Sequence, residues 1–255
     1  MRSARAWAGV LRSAWIYHGD GAHLRGLAQM LRPMVRPGDL AFDVGAHVGD
    51  RTRVLAALGA RVVAVEPQPR LARFLRLAFR RQPRVTVVEA AVGARPGTLP
   101  LNVNTRNPTV STASKALVAA APRQAAWRRE VWDEVVTVPV TTLDALIAEH
   151  GKPRFLKVDV EGMEDAVLEG LSTPVPALSF EFTTLQRDVA SAALARAEAL
   201  GHRRYNLSLG ESHTMRFSAE VGAGRIARAL ADLPDEANSG DVYAFAPARS
   251  GLRSS

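Results

Sequence analysis

Two apolar stretches separated by a glycine turn constrain this chain most. LAFDVGAHVGD at residues 40–50 reads as a strand ending in Asp43, a turn through Gly45 and Gly49, and the start of a helix. RVVAVEPQP at 61–69 returns as a second apolar strand with Glu66 at its tip. The result is a strand, helix, strand unit with a carboxylate at the end of each strand. The separation of Asp43 and Glu66 is close to the ~20 residues expected between a glycine turn and the acid that grips a ribose diol. A nucleoside-containing ligand is therefore expected here.

Two classes of nucleoside fit that outline. A dinucleotide needs G-x-G-x-x-G, with helix-terminal N–H groups free to receive a pyrophosphate. The turn here is Gly45-Ala46-His47-Val48-Gly49, one glycine short, and Asp50 places a negative charge where a phosphate would sit. S-adenosylmethionine has no phosphate and a positive sulfonium, so carboxylates at Asp43 and Glu66 suit it better. An ordinary parallel-sheet crossover, whose glycines only permit close packing, would carry the same short pattern.

The chain has 255 residues, 47% of them hydrophobic and 23% charged, which predicts one large folded α/β domain. We divide it into an N-terminal helical extension (1–36), a catalytic domain (37–248) and a flexible tail (249–255). The net charge of +8 raises the question of nucleic acid or anionic lipid as a partner. The only lysines are Lys115, Lys152 and Lys157, and the arginines are scattered over helix faces, so no basic patch is predicted. The absence of cysteine excludes disulfides, thiolate zinc sites and thiol nucleophiles. No stretch approaches the ~18 apolar residues of a membrane span, and the basic N-terminus is interrupted by Arg12 before a signal-like core develops. A cytoplasmic location is expected. Residues 4–16, with Trp7 and Trp15, have the pattern of a basic amphipathic helix, suited to packing on the domain or lying on a membrane surface.

Helical spacing of Leu24, Leu27, Ala28 and Leu31 stops at Pro33. Helix 71–78 and strand 85–88 continue the α/β alternation, which predicts a doubly wound, mostly parallel sheet. TLPLNVN at 98–104 reads as a short strand, and RNPTVSTASK after it as a mobile loop or lid. Pro139 marks VVTVPV at 135–140 as an edge or terminal strand. Thr141 or Thr142 can cap the next helix, LDALIAEH, and Gly151 ends it. FLKVDV at 155–160 is a buried strand leading into Asp159-Val160-Glu161-Gly162, and ALSFEF at 177–182 is another carrying Glu181. Ligands in open α/β sheets sit beyond the carboxyl ends of the strands, so Asp159 should share a crevice with Asp43 and Glu66.

FDVGAHVGD, VEPQP, VVEAAVG at 87–93, TLDAL at 142–146 and FLKVDVEGMED at 155–165 occur in an order and spacing that resemble the FkbM-type S-adenosylmethionine-dependent methyltransferases. The resemblance covers roughly residues 17–182. It implies a class I methyltransferase fold, a Rossmann-like sheet with a C-terminal antiparallel hairpin, for which 203–209 and 241–247 are candidates. It also implies methylation of a hydroxyl on a sugar or secondary metabolite, a small-molecule acceptor. On this reading Glu66, beside Pro67, binds the ribose, Asp43 and the turn Gly45, Ala46, His47 and Gly49 hold the methionine end, and Glu89 with Ala90 borders the adenine. His47 stands where the family commonly has Asn. Asp159 is the preferred acceptor-side carboxylate, followed by Glu161 and Glu181; the three would also suit a divalent ion, without a spacing that demands one. Two rival readings are a nicotinamide-dependent oxidoreductase, which lacks its phosphate-cradling glycines and a Tyr-x-x-x-Lys, and an RNA methyltransferase, which lacks a base-flipping motif and an aromatic-interleaved basic stripe. No nucleic-acid partner is expected.

Overall fold

The computed structural model describes residues 2–247; the expected tail at 249–255 lies outside the described residues. The first half runs α1 (Arg2–Gly19), α2 (Gly21–Leu31), β1 (Leu40–Val44), α3 (Asp50–Ala57), β2 (Arg61–Val65), α4 (Pro69–Ala78), β3 (Val85–Val88), β4 (Ala91–Val92), β5 (Gly97–Val103) and α5 (Lys115–Ala120). The second half runs β6 (Glu134–Thr141), α6 (Leu143–His150), β7 (Phe155–Val158), α7 (Glu164–Glu169), β8 (Ala177–Thr183), α8 (Arg187–Ala199), β9 (Arg204–Leu209), α9 (Ala223–Ala231) and β10 (Ser239–Phe245).

Seven strands form one sheet in the order β3-β2-β1-β7-β8-β10-β9. β1 pairs in parallel with both β2 and β7, while β10 runs antiparallel between β8 and β9. This is the class I methyltransferase order, with the expected terminal hairpin. All five residues of β1 and all four of β7 are buried, because helices cover both faces. Alternate side chains go to opposite layers. Phe42, Val44, Leu156, Val158 and Phe180 pack with α6, α7 and α8, whereas Ala41, Phe155 and Tyr243 meet α2 and α3. Burying each large side chain of this kind contributes ~2–3 kcal/mol. The chain leaves β1 toward β2 on one side and later enters β7 on the other, so a crevice opens at the carboxyl end of β1.

Of the two N-terminal helices, α2 joins this core and α1 packs in a separate cluster beside the β1 turn and α4. Asp20 caps α2 by accepting from the backbone N–H groups of Ala22 and His23. Leu27, Met30 and Leu31 of α2 pack with Val54 and Leu55 of α3. From α1, Val10 and Trp7 pack on Val48 and Leu71, while Trp15 is exposed. Among the described residues no helix is long and apolar enough to cross a membrane.

A second, three-stranded sheet, β4-β6-β5, was not anticipated from the sequence. It corrects the placement of 135–140: β6 is the central strand here, not an edge. Pro139 is tolerated because two-residue β4 pairs only with Val140 and Thr141, leaving Pro139 a ladder neighbour, Thr98, on the β5 side alone. The segment 106–115, expected as a mobile lid, is instead anchored. Its hydroxyls are committed to bonds, Thr112 Oγ1 donating to the Glu161 carbonyl at 2.6 Å, Ser111 Oγ to Gln68 Oε1 at 3.2 Å, and Ser114 capping α5.

Candidate active site

The turn after β1 is built by backbone conformations that side chains resist. Gly45 lies at φ +80°, and a Cβ there would sit 1.6 Å from the carbonyl oxygen of Asp159. The missing side chain is what lets the β1 turn lie against the end of β7. Gly45 and Ala46 both donate to the Val65 carbonyl, at 2.9 and 3.0 Å, and tie the turn to β2. Gly49, at φ +81°, caps α3 where a Cβ would strike Leu75 and Phe79 at 2.7 Å.

Glu66, immediately after β2, is 2% exposed and closes the same turn. Its Oε2 accepts from the His47 N–H and its Oε1 from the Gln68 N–H, each at 2.9 Å. Burial nevertheless outweighs these donors and pushes its pKa up to about 7. Asp43 is equally buried; the loss of water raises it to about 6 although Thr52 Oγ1 donates to it at 2.5 Å. Burial lowers His47 to about 4, so its imidazole is neutral near pH 7. Its Nε2 lies 3.2 Å from Thr109 Oγ1, and its ring meets Tyr17 edge to face at 5.6 Å. These contacts hold the His47 ring in place beside the turn.

At the end of β7 a charge network takes over. Lys157, 1% exposed in an otherwise apolar strand, donates to Asp241 on β10 and lies 3.3 Å from Asp159. Arg51 of α3 reaches the same two carboxylates, at 3.3 Å from Asp241 and 3.9 Å from Asp159. Burial alone would raise the Asp159 pKa, but the Lys157 and Arg51 charges hold it below the usual carboxylate range. Glu161 and Glu181 go the other way. Burial first, then the neighbouring Asp159 charge, pushes both well above the ordinary glutamate value, and Oε2 of each has no hydrogen-bond partner among the described residues. The three acids are thus driven apart, Asp159 toward its charged form and Glu161 and Glu181 toward their protonated forms. The three bring an oxygen each within 4.8 Å of one another, a spacing that would also accept a hard cation.

These groups surround a cavity of about 410 Å³, within the size range of small-molecule sites. Asp43, Gly45, Ala46, His47, Glu66, Pro67, Ala90, Asp159 and Glu161 all line it. Gly49, Glu89 and Glu181 do not: Gly49 packs under the turn, Glu89 is bonded to Arg76 at 2.6 Å, and Glu181 lies beside Asp159. Sequence reasoning missed Tyr17, Arg51 and Glu211, which line the cavity, and the second sheet, whose Leu99, Leu101 and Val140 form part of its wall. It also missed Lys157 and Asp241. The one available signal was a lysine inside the apolar run FLKV.

The sheet order, the carboxylate beyond β2 and the cavity at the strand reversal define a class I S-adenosylmethionine-dependent methyltransferase. The chain matches the Methyltransferase FkbM domain over residues 43–204, more than half its length, and belongs to that family. No curated protein sequence matches it. Among solved structures it is similar to a precorrin-6y C5,15-methyltransferase from Geobacter metallireducens, with 13% identity and a TM-score of 0.42 over 88% of this chain and 87% of that one. An O-methyltransferase from Thermotoga maritima is similar at 15% identity and a TM-score of 0.43, over 91% of this chain and 67% of that one. A putative RNA methyltransferase from Pyrococcus horikoshii is similar at 8% identity and a TM-score of 0.44, over 88% and 81%. Family membership rests on the sequence match and the sheet order, not on these distant likenesses.

Proposed function

We propose that this protein transfers the methyl group of S-adenosylmethionine to a hydroxyl of a small molecule such as a sugar or secondary metabolite. The observation that carries this reading is Asp159, an ionised carboxylate at the wall of the same cavity as Glu66. When bound, S-adenosylmethionine supplies an electrophilic methyl on a sulfonium. Glu66 accepts from the ribose hydroxyls. Asp43 and the 45–49 turn position the methionine end, and Ala90 borders the adenine.

Asp159 takes the acceptor's hydroxyl proton as the oxygen–methyl bond forms and the sulfur–methyl bond breaks. The products are a methyl ether, a thioether and a protonated carboxyl. Lys157 and Arg51 orient that carboxylate and keep it ionised in a desolvated place, while alignment of the two reactants supplies most of the rate gain. The second sheet walls the cavity with apolar side chains and limits water.

Calorimetric titration with S-adenosylhomocysteine, with NADH as control, tests the cofactor half of this reading. Saturable binding of the first that is weakened in Glu66→Ala is expected; preference for NADH refutes it. The acceptor half predicts that Asp159→Asn keeps S-adenosylhomocysteine affinity and lowers turnover by ~10²–10⁴. Equal loss of cofactor affinity in both variants would show the division of roles to be wrong.

A further inference from the structure

A second group of ligand-type side chains stands apart from the carboxylates around Asp159. His23 lies in the first turn of α2, and Glu211 and His213 lie just beyond β9. Nδ1 of His23 is 3.0 Å from Nε2 of His213. Oε2 of Glu211 is 3.9 Å from the first nitrogen and 3.8 Å from the second. Zinc held by four ligands at ~2.0–2.2 Å keeps neighbouring ligand atoms ~3.3 Å apart. The triangle brackets that spacing, so a shift of a few tenths of an ångström would close it on an ion.

Further features point the same way. His23 Nε2 is bonded to Asp50 Oδ2 at 2.9 Å, so Nε2 carries the proton of that bond and Nδ1 is the nitrogen that faces the triangle. A carboxylate behind the far nitrogen is the usual support of a metal-bound histidine. Room for the second imidazole comes from Gly26, one turn after His23, where a Cβ would lie 3.0 Å from His213 Cδ2. His213 itself is held at φ +50°, a left-handed conformation that persists in a side-chain-bearing residue only where its surroundings fix it. The two imidazoles are nearly buried, at 9% and 7% side-chain exposure, whereas Glu211 at 53% is free to adjust.

We propose that His23, Glu211 and His213 bind a zinc-class divalent ion, with Asp50 as the outer carboxylate. With neutral imidazoles, the charges of Glu211 and Asp50 balance the ion. Three protein ligands leave a fourth position for water. Glu211 and Asp50 also line the cavity, so the ion would pin the segment after β9 against α2 at the cavity wall. This site is independent of the methyl-transfer reading.

The test uses the full chain, stripped with a chelator and titrated with zinc alone, with cobalt as a spectroscopic substitute. Expected are a single zinc per chain, the visible absorption of four-coordinate cobalt, and a rise in Tm on adding zinc. His213→Ala should lose all three, Asp50→Asn should weaken zinc ~10–100-fold, and Glu181→Gln should bind as the wild type does. Glu211→Gln, altered at a half-exposed side chain, guards against misfolding: its metal-free Tm should stay unchanged while the zinc-induced rise shrinks. Absence of zinc binding, binding undiminished in His213→Ala, or loss in Glu181→Gln instead would overturn the proposal.

Discussion

Glu66 gives the sharpest quantitative prediction, because its pKa of about 7 lies in the working range of most enzymes. A ribose diol donates two hydrogen bonds, which a carboxylate accepts and a carboxylic acid accepts poorly. Cofactor affinity should therefore scale with the ionised fraction of Glu66 in the free protein. That fraction is ~90% at a pH of about 8 and ~3% at a pH of about 5.5, so affinity for S-adenosylhomocysteine should fall ~30-fold, or ~2 kcal/mol. The sign for stability is opposite to that of an ordinary ion-paired acid. A carboxyl raised from 4.5 to about 7 keeps its proton longer in the native state, so the apoprotein loses ~3 kcal/mol of stability from this group as pH rises between those values. Bound ligand should recover part of it. Calorimetry across that pH range, on wild type and Glu66→Gln, checks both effects. The variant should bind more weakly at high pH and show a flatter profile, with any remaining slope centred near about 6, where Asp43 titrates. A flat wild-type profile, or a Glu66→Gln profile as steep as that of the wild type, would refute the reasoning.

Two further perturbations probe the supports of the site. Lys157→Met removes the buried cation between Asp159 and Asp241, leaving Arg51 as their only counter-charge among the contacts described; urea unfolding should show a loss of ~3–5 kcal/mol, part of it recovered by adding Asp241→Asn. Gly45→Ala forces a Cβ into the Asp159 carbonyl, and S-adenosylhomocysteine titration should show binding abolished even where circular dichroism shows the fold retained.

The sheet was legible because buried parallel strands write themselves as apolar runs punctuated by glycine turns. The strand, helix, strand unit of β1 and β2 and the shared crevice follow from that punctuation and from strand-tip acids, and Asp43, Glu66 and Asp159 do meet at one cavity. Strand-tip position does not reveal which way a side chain leaves, however. Glu89 follows β3 as Glu66 follows β2, yet β3 is the edge strand, and Glu89 turns to Arg76 while Glu66 turns into the glycine turn. Partners distant in sequence were illegible for another reason. His23 and His213 lie 190 residues apart, and nothing local in either segment specifies the other. The second sheet was hidden by β4, two residues long and too short for any periodicity to register.

The density of acids at the carboxyl end of the sheet is best understood as a proton inventory. Burying Asp43, Glu66, Asp159, Glu161, Glu181 and Asp241 together as anions would cost far more than two cations can offset. The structure resolves this by dividing the group. Lys157 and Arg51 both reach Asp159 and Asp241, and their charges hold the Asp159 pKa below the usual carboxylate range, while burial drives Glu161 and Glu181 toward their protonated forms and raises Asp43 to about 6 and Glu66 to about 7. On the proposed reading, Asp159 would thereby act as the base beside neighbours driven toward their protonated forms. On the same reading, a sulfonium entering this cavity would meet the negative charge of Asp159 at its wall. That attraction would be lost once the methyl group has left and the thioether is neutral, favouring exchange of spent cofactor for fresh.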